Sequence, residues 1–202
     1  MTKLLSRLLA CCLALLVFTQ VNAKELIDDF KIEEGVATFT QEKKFSFLST
    51  PIKSSGLFKV YKHNILWQVN SPVFSKLLII DNEIWQFIEP NNSEVKTKDG
   101  IANHYRKMVT HASIETLIQT VFTGTINEEQ WDTTVKSEQC LLLQPKDTLL
   151  AQAISLLELC LGEEEGEREV LITDTQKNTT KIVLTQTKNS LSDEDINEFN
   201  IH

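Results

Sequence analysis

The sequence predicts an α+β fold: a large curled antiparallel sheet with a helix packed on it. Three observations lead there. Short apolar segments recur between turn residues at spacings of roughly eight to twelve residues, as in an antiparallel meander. One amphipathic segment, residues 113–122, breaks their run. Strand-like segments then resume, so the helix interrupts the sheet instead of preceding or following it.

The chain opens with a segment of another kind. Lys3 and Arg7 precede an eleven-residue apolar run, Leu8 to Phe18, and Val21-Asn22-Ala23 follows with small residues. That order of parts is a secretory signal peptide over residues 1–23, and the apolar run is too short to span a bilayer. Leu9-Ala10-Cys11 resembles the end of a lipoprotein signal, but there the cysteine closes the apolar run, and here it stands near the start. The expected product is one exported, soluble domain over residues 24–202, long enough to bury a core.

Leu26, Ile27 and Phe30 have helical spacing, and Gly35 ends that helix. From Val36 the period changes to two: Phe39, Phe45 and Phe47 alternate with polar residues, predicting one long half-buried strand. After the Ser49-Thr50-Pro51 turn a second strand runs through Gly56 to Tyr61. Further strands are expected at Ile65–Asn70, Lys76–Ile80 and Ile84–Ile88, closed by Ser71-Pro72, Asp81-Asn82 and Pro90-Asn91-Asn92. The central helix presents Ile114, Leu117, Ile118 and Val121 on one face and stops at Gly124. Later strands fall near Trp131–Val135, Gln139–Leu143, Leu156–Leu161, Glu169–Ile172 and Lys181–Gln186. Glu163–Glu169 reads as a solvated hairpin tip, and Ser192 caps a last helical turn, Asp193 to Phe199. The total is nine or ten strands.

Charge and motifs exclude more than they assign. Loss of Lys3 and Arg7 takes the formal charge from −8 to −10. An acidic chain without a Lys/Arg stripe disfavours nucleic acid and polybasic membrane association alike. Neither a nucleophile elbow nor a Gly-rich phosphate loop is present, and no catalytic residue stands out. His104 and His111 are seven residues apart, but no further ligand completes a metal site, and no cofactor is expected. An enzyme using His63 or His104 as base is the weaker class. Cys140 and Cys160, an even number in an exported chain, form either a disulfide or two buried thiols; if their strands pair as antiparallel neighbours, the two cysteines lie within bonding distance.

The apolar content of the strands is the more informative feature. Trp67 and Val69 share a face of one strand, Trp85 and Phe87 a face of another, and Phe39 and Phe58 add to them. These side chains either build a core against the helix or line a concavity too wide for one helix to fill. Periodicity fits both.

Several segments resemble, in order, the periplasmic LolA-like carriers of outer-membrane lipoproteins in Gram-negative bacteria. Val36-Ala37-Thr38-Phe39-Thr40-Gln41-Glu42-Lys43-Lys44 is similar to the opening strand of that family. Ser55-Gly56-Leu57-Phe58 resembles its Gly-led second strand, and Ile65-Leu66-Trp67-Gln68-Val69 with Ser71-Pro72 its Trp-bearing third. Leu77-Leu78-Ile79-Ile80-Asp81-Asn82 with Ile84-Trp85 resembles the next hairpin, and Leu141-Leu142-Leu143-Gln144-Pro145-Lys146-Asp147 a later strand end.

The resemblance implies an incomplete antiparallel β-barrel, LolA/LolB-like, with a helical lid and an apolar concavity that shelters acyl chains. On that reading Phe39, Phe58, Ile65, Trp67, Val69, Trp85, Phe87, Ile114, Leu117, Ile118 and Val121 line the cavity. Met108 to Val121 is the lid. The family ties a basic-Pro pair before the third strand to lid closure; Tyr61-Lys62-His63 stands there instead, which leaves Lys62 as the latch candidate without the planar fork of an Arg. A periplasmic monomer is implied, loaded by an inner-membrane release complex and emptied at an outer-membrane acceptor. Its client is a lipoprotein's acyl chains or, as in some shorter relatives of the family, a lipid-like product such as a polyene.

Overall fold

The computed structural model describes residues 23–81, 83–87, 105–109 and 112–200. The signal peptide read over 1–23 therefore lies outside the described residues except for Ala23, and so do His104, His111 and the turn at 90–92. Helix α1 (Ala23–Phe30) leads into β1 (Gly35–Lys44), β2 (Ile52–Tyr61), β3 (Asn64–Ser71), β4 (Ser75–Ile80), β5 (Glu83–Phe87) and β6 (Tyr105–Met108). Helix α2 (Ala112–Thr123) separates these from β7 (Trp131–Ser137) and β8 (Cys140–Pro145). After α3 (Thr148–Ala153) come β9 (Ile154–Leu161), β10 (Glu167–Asp174), β11 (Thr179–Lys188) and α4 (Asp193–Asn197).

Eleven strands form one antiparallel sheet in the order β6-β5-β4-β3-β2-β1-β11-β10-β9-β8-β7. Two meanders, β1–β6 and β7–β11, meet where β1 pairs with β11, from Val36 opposite Lys188 to Lys44 opposite Thr179. β6 and β7 are its two edges, so the sheet is open. Each strand pair adds a right-handed twist, and open sheets of more than about ten strands curl as it accumulates. The architecture is thus consistent with the curled α+β sheet that the sequence predicts.

The sheet buries both faces over part of its width. One face, here called inner, gathers Phe39, Phe58, Trp67, Trp131, Leu143, Leu157 and Leu184 with Leu26 and Phe30 of α1, Val121 of α2 and Leu150 of α3. On the outer face a smaller cluster joins Leu66 and Leu78 to Phe199, beyond α4.

Local chemistry sets the element ends. Gly124, at φ +66°, closes α2 in the left-handed conformation, and its N–H donates to the Thr120 carbonyl at 3.2 Å. Ser192 caps α4 in a reciprocal capping box with Asp195. Lys62 and His63, both at positive φ (48° and 69°), form the two-residue turn between β2 and β3.

Three expectations change. The long first strand stops at Lys44: Phe45 and Phe47 continue the alternation, but pairing ends with Lys43 opposite Ile52 and Lys44 opposite Thr179, and Phe47 is 74% exposed. β6 escapes the pattern because Tyr-Arg-Lys-Met on an edge strand carries no apolar alternation. α3 does so because six residues are too few to display a helical period; its start is marked only by Asp147, which accepts from the Leu150 N–H at 2.8 Å.

Candidate functional site

An aromatic layer sits on the inner face of β1–β3. Phe39 in β1 lies opposite Gly56 in β2, and Phe58 lies opposite Trp67 in β3. Gly56 has no side chain to fill the space between them. A Cβ there would stand 1.8 Å from the Gln68 carbonyl oxygen and 2.8 Å from the Phe39 ring. Over this gap Phe39 crosses β2 and stacks on Trp67 at 3.6 Å, with planes 22° apart. Phe58 meets Trp67 edge-on at 6.0 Å. Such offset and edge contacts suit ring quadrupoles and add to the burial gain.

Helix α2 covers this layer. Its Phe122 ring lies 4.5 Å from Trp67 and 5.1 Å from Phe58. Val121 is buried, and Leu117 and Ile118 pack on the same cluster, half-buried. The side chain of Ile114 lies outside the described residues. Phe122 stands four residues after Ile118 and so belongs to the stripe that begins at Ile114; helical spacing alone identifies it. Beside the aromatics runs a cross-strand ladder, Ile65 opposite Ile79 and Ile79 opposite Ile84, all buried on the inner face. Val69 packs on the same cluster, half-buried. Phe39, Phe58, Ile65, Trp67, Val69, Leu117, Ile118 and Val121 therefore share one apolar face.

Trp85 and Phe87 do not. Ile84 is the β5 side chain on the inner face; Trp85, opposite Leu78, belongs to the outer cluster with Leu66 and Phe199. Phe87, two residues on from Trp85, lies opposite Tyr105, with rings 5.4 Å apart. The physical reason is that β3 to β5 bury both faces, because the C-terminal segment packs on the outer one. Apolar residues then run consecutively, as in Leu77-Leu78-Ile79-Ile80, and alternation no longer says which face is inward.

The outer cover is held by charge. Lys59 of β2, 6% exposed, donates to Asp195 at 2.6 Å and to Glu198 at 3.1 Å, and Lys76 reaches Glu198 at 3.0 Å. Burial alone would lower the Lys59 ammonium's pKa, but its two carboxylate partners outweigh that and raise it. The Asp195 carboxyl is held far below the usual carboxylate range, first by Lys59 and then by the Ser192 hydroxyl. Burial, and secondarily Glu198, push the Tyr105 phenol up to about 12.

A second buried cation fastens α1. The Arg168 Nε donates to the Phe30 carbonyl at 2.6 Å, and its terminal nitrogens reach the carbonyls of Lys31 at 3.0 Å and Gly166 at 3.0 Å. One guanidinium thus satisfies carbonyls left open at the end of α1. Burial lowers its pKa from the usual arginine value, opposed by the Asp29 carboxylate. Nothing in the periodicity singles out Lys59 or Arg168: Lys59 is one basic residue between apolar neighbours, and Arg168 stands between Glu167 and Glu169 in what reads as a solvated acidic run.

Lys62 lines a recess of about 440 Å³ between the end of α1 and the end of α2, together with Glu33, Glu34, His63 and Thr123. Its ammonium lies 4.9 Å from the centre of the Tyr61 ring. Cys140 and Cys160 lie opposite one another on β8 and β9 and are joined by a disulfide. Their sulfurs, with Glu158, form the one cluster of metal-ligand type among the described residues, and the sulfurs are bonded to each other.

Among the described residues, none of the hydrogen bonds on the inner face joins a nucleophile to a base. What the arrangement offers is apolar area: a sheet face whose aromatic layer is covered by a single helix. No family model matches the chain, and no curated protein matches it.

Proposed function

We propose that this chain is a periplasmic carrier that shelters the acyl chains of lipoproteins against the inner face of its sheet and moves them toward the outer membrane. One observation carries the reading: the Phe39–Phe58–Trp67 layer is covered by α2, a twelve-residue helix, through the Phe122 ring. Contacts of that kind are apolar, so an acyl chain sliding under α2 replaces one apolar surface with another. Each CH₂ taken from water contributes about 0.8 kcal/mol, and a few chains give reversible binding without covalent chemistry. In this reading α2 is the lid, and Lys62 sits in the recess at its C-terminal end.

A dedicated polyene-type client is the second reading, and the Phe39–Trp67 stack favours it. Two nearly parallel rings at 3.6 Å present a flat face that a planar conjugated chain can match.

The test is to purify the exported chain under non-denaturing conditions and identify co-purifying molecules by mass spectrometry. A fluorescent fatty-acid probe is then titrated and its own emission followed. Lipoprotein or free acyl chains support the first reading, and a conjugated polyene the second. An empty protein that also leaves the probe free in solution would sink both.

A further inference from the structure

Of the nine large apolar side chains exposed among the described residues, five gather at one end of the sheet, while Met108, Val109, Val135 and Leu149 lie apart from it. In the β1–β2 connection Phe47 is 74% exposed, Leu48 45% and Ile52 51%. The β3–β4 turn adds Val73 and Phe74, both exposed. Ser55 pairs with Ser71, which brings that turn beside the β1–β2 connection. An exposed leucine by itself is ordinary; a group of large apolar side chains at one extremity is not.

The charge around this tip is opposite to that of the chain. Residues 42–53 hold Lys43, Lys44 and Lys53 against a single acid, Glu42, in a chain of formal charge −8. Glu42 is shared between Lys44 at 3.3 Å and Lys53 at 3.4 Å, which leaves the group cationic. Lys43 lies with its ammonium 4.8 Å from the centre of the Phe45 ring. The nearby Asp174 carboxylate, which feels Lys43, is engaged by the Gln176 and Asn178 N–H groups and the Asn178 amide. Overall acidity therefore conceals a local basic and apolar edge.

The tip is also braced. The Ser46 N–H donates to the buried Asn178 side-chain oxygen at 3.0 Å, and the Leu48 N–H donates to the Phe45 carbonyl at 3.1 Å. The Phe45 and Phe47 rings lie 5.3 Å apart. A loop held in shape loses less freedom when its side chains enter a partner.

We infer that the β1–β2 tip docks this protein on the surface of an anionic phospholipid bilayer, with Phe47, Leu48 and Ile52 entering the headgroup region and Lys43, Lys44 and Lys53 facing lipid phosphates. Lysines ringing an apolar wedge match a surface that is anionic outside and apolar beneath. An acidic protein groove would match the lysines but offers no layered interior for the wedge. Docking of this kind is peripheral: no described helix is long and apolar enough to cross a membrane. It does not depend on what the inner face holds, so failure of the carrier reading and failure of docking are separate results.

The test is flotation of the chain from Lys24 to His202 with phosphatidylcholine vesicles, with and without phosphatidylglycerol. Binding to the anionic vesicles is expected, weakened by added salt. Each Lys→Gln change at 43, 44 or 53 should reduce it on the order of fivefold. Phe47→Ser with Leu48→Ser should abolish it, whereas Val135→Ser, at an exposed site on β7, should leave it intact. The Phe47→Trp emission, read as the difference from the unsubstituted chain with its three tryptophans, should shift to the blue on anionic vesicles, which reports insertion independently of the double variant's folding. Three results would overturn the inference: no binding to anionic vesicles, equal binding to both vesicle types, or unchanged binding of the folded double variant. Capture only by an acidic protein would do so too.

Discussion

Phe122 is the residue on which two uses of the inner face diverge. Its ring covers Trp67 and Phe58, yet it remains half-buried. Truncation to alanine should cost about 2 kcal/mol in a denaturant melt, below the range for a fully buried Phe because part of the ring is already solvated. In a simple core, nothing else follows. In a carrier the removed ring leaves space beside Trp67, and Phe122→Ala should bind the fatty-acid probe more tightly while melting earlier. Loss of both stability and probe binding would speak against α2 as a lid. Gly56 belongs to the same argument, since Phe39 reaches Trp67 only across a position that has no side chain.

At the scale of elements, two buried cations hold short helices that could not persist alone. α1 has eight residues and α4 five, both below the length at which isolated helices are stable. Arg168→Met keeps the apolar stem but leaves the Phe30 and Lys31 carbonyls without their donor. Amide exchange over residues 24–31 should then rise by an order of magnitude or more, while β1 and β11 stay protected. The α4 anchor is pH-dependent with a definite sign. Folding favours ionised Asp195, so its contribution is full above the unfolded carboxyl's pKa of about 4 and fades as pH falls below that. Acid titration should release the C-terminal segment first, seen as exposure of Trp85 beneath Phe199, and Asp195→Asn should flatten that transition.

For the whole molecule, the disulfide ties β8 to β9 next to the edge strand β7. Closing a loop of twenty residues restricts the unfolded chain by about 3 kcal/mol on the chain-entropy estimate. Cys140→Ser with Cys160→Ser should lower stability by about that much in a urea titration. The probe site, on β1–β3 at the other side of the β1–β11 seam, should keep its affinity.

The strand segments other than β6 were legible from sequence, and so were α2 with its Gly124 stop and the Ser192 cap. Each is a local matter of apolar period, turn residues and capping side chains. The inner-face residues of β1–β3 and α2 were legible for the same reason, because one face of each element is apolar. Only the tertiary structure decided which face of β5 is inward, since Trp85 and Ile84 are both apolar and the C-terminal segment that covers Trp85 lies more than a hundred residues away in sequence. It also decided that the Phe45–Phe47 alternation is not strand, because strand requires a paired neighbour and none extends that far. The sequence by itself determined an antiparallel sheet with a helix upon it. The meeting of β1 with β11 and the burial of Lys59 and Arg168 at helix ends were decided by contacts between distant segments, which no local period encodes.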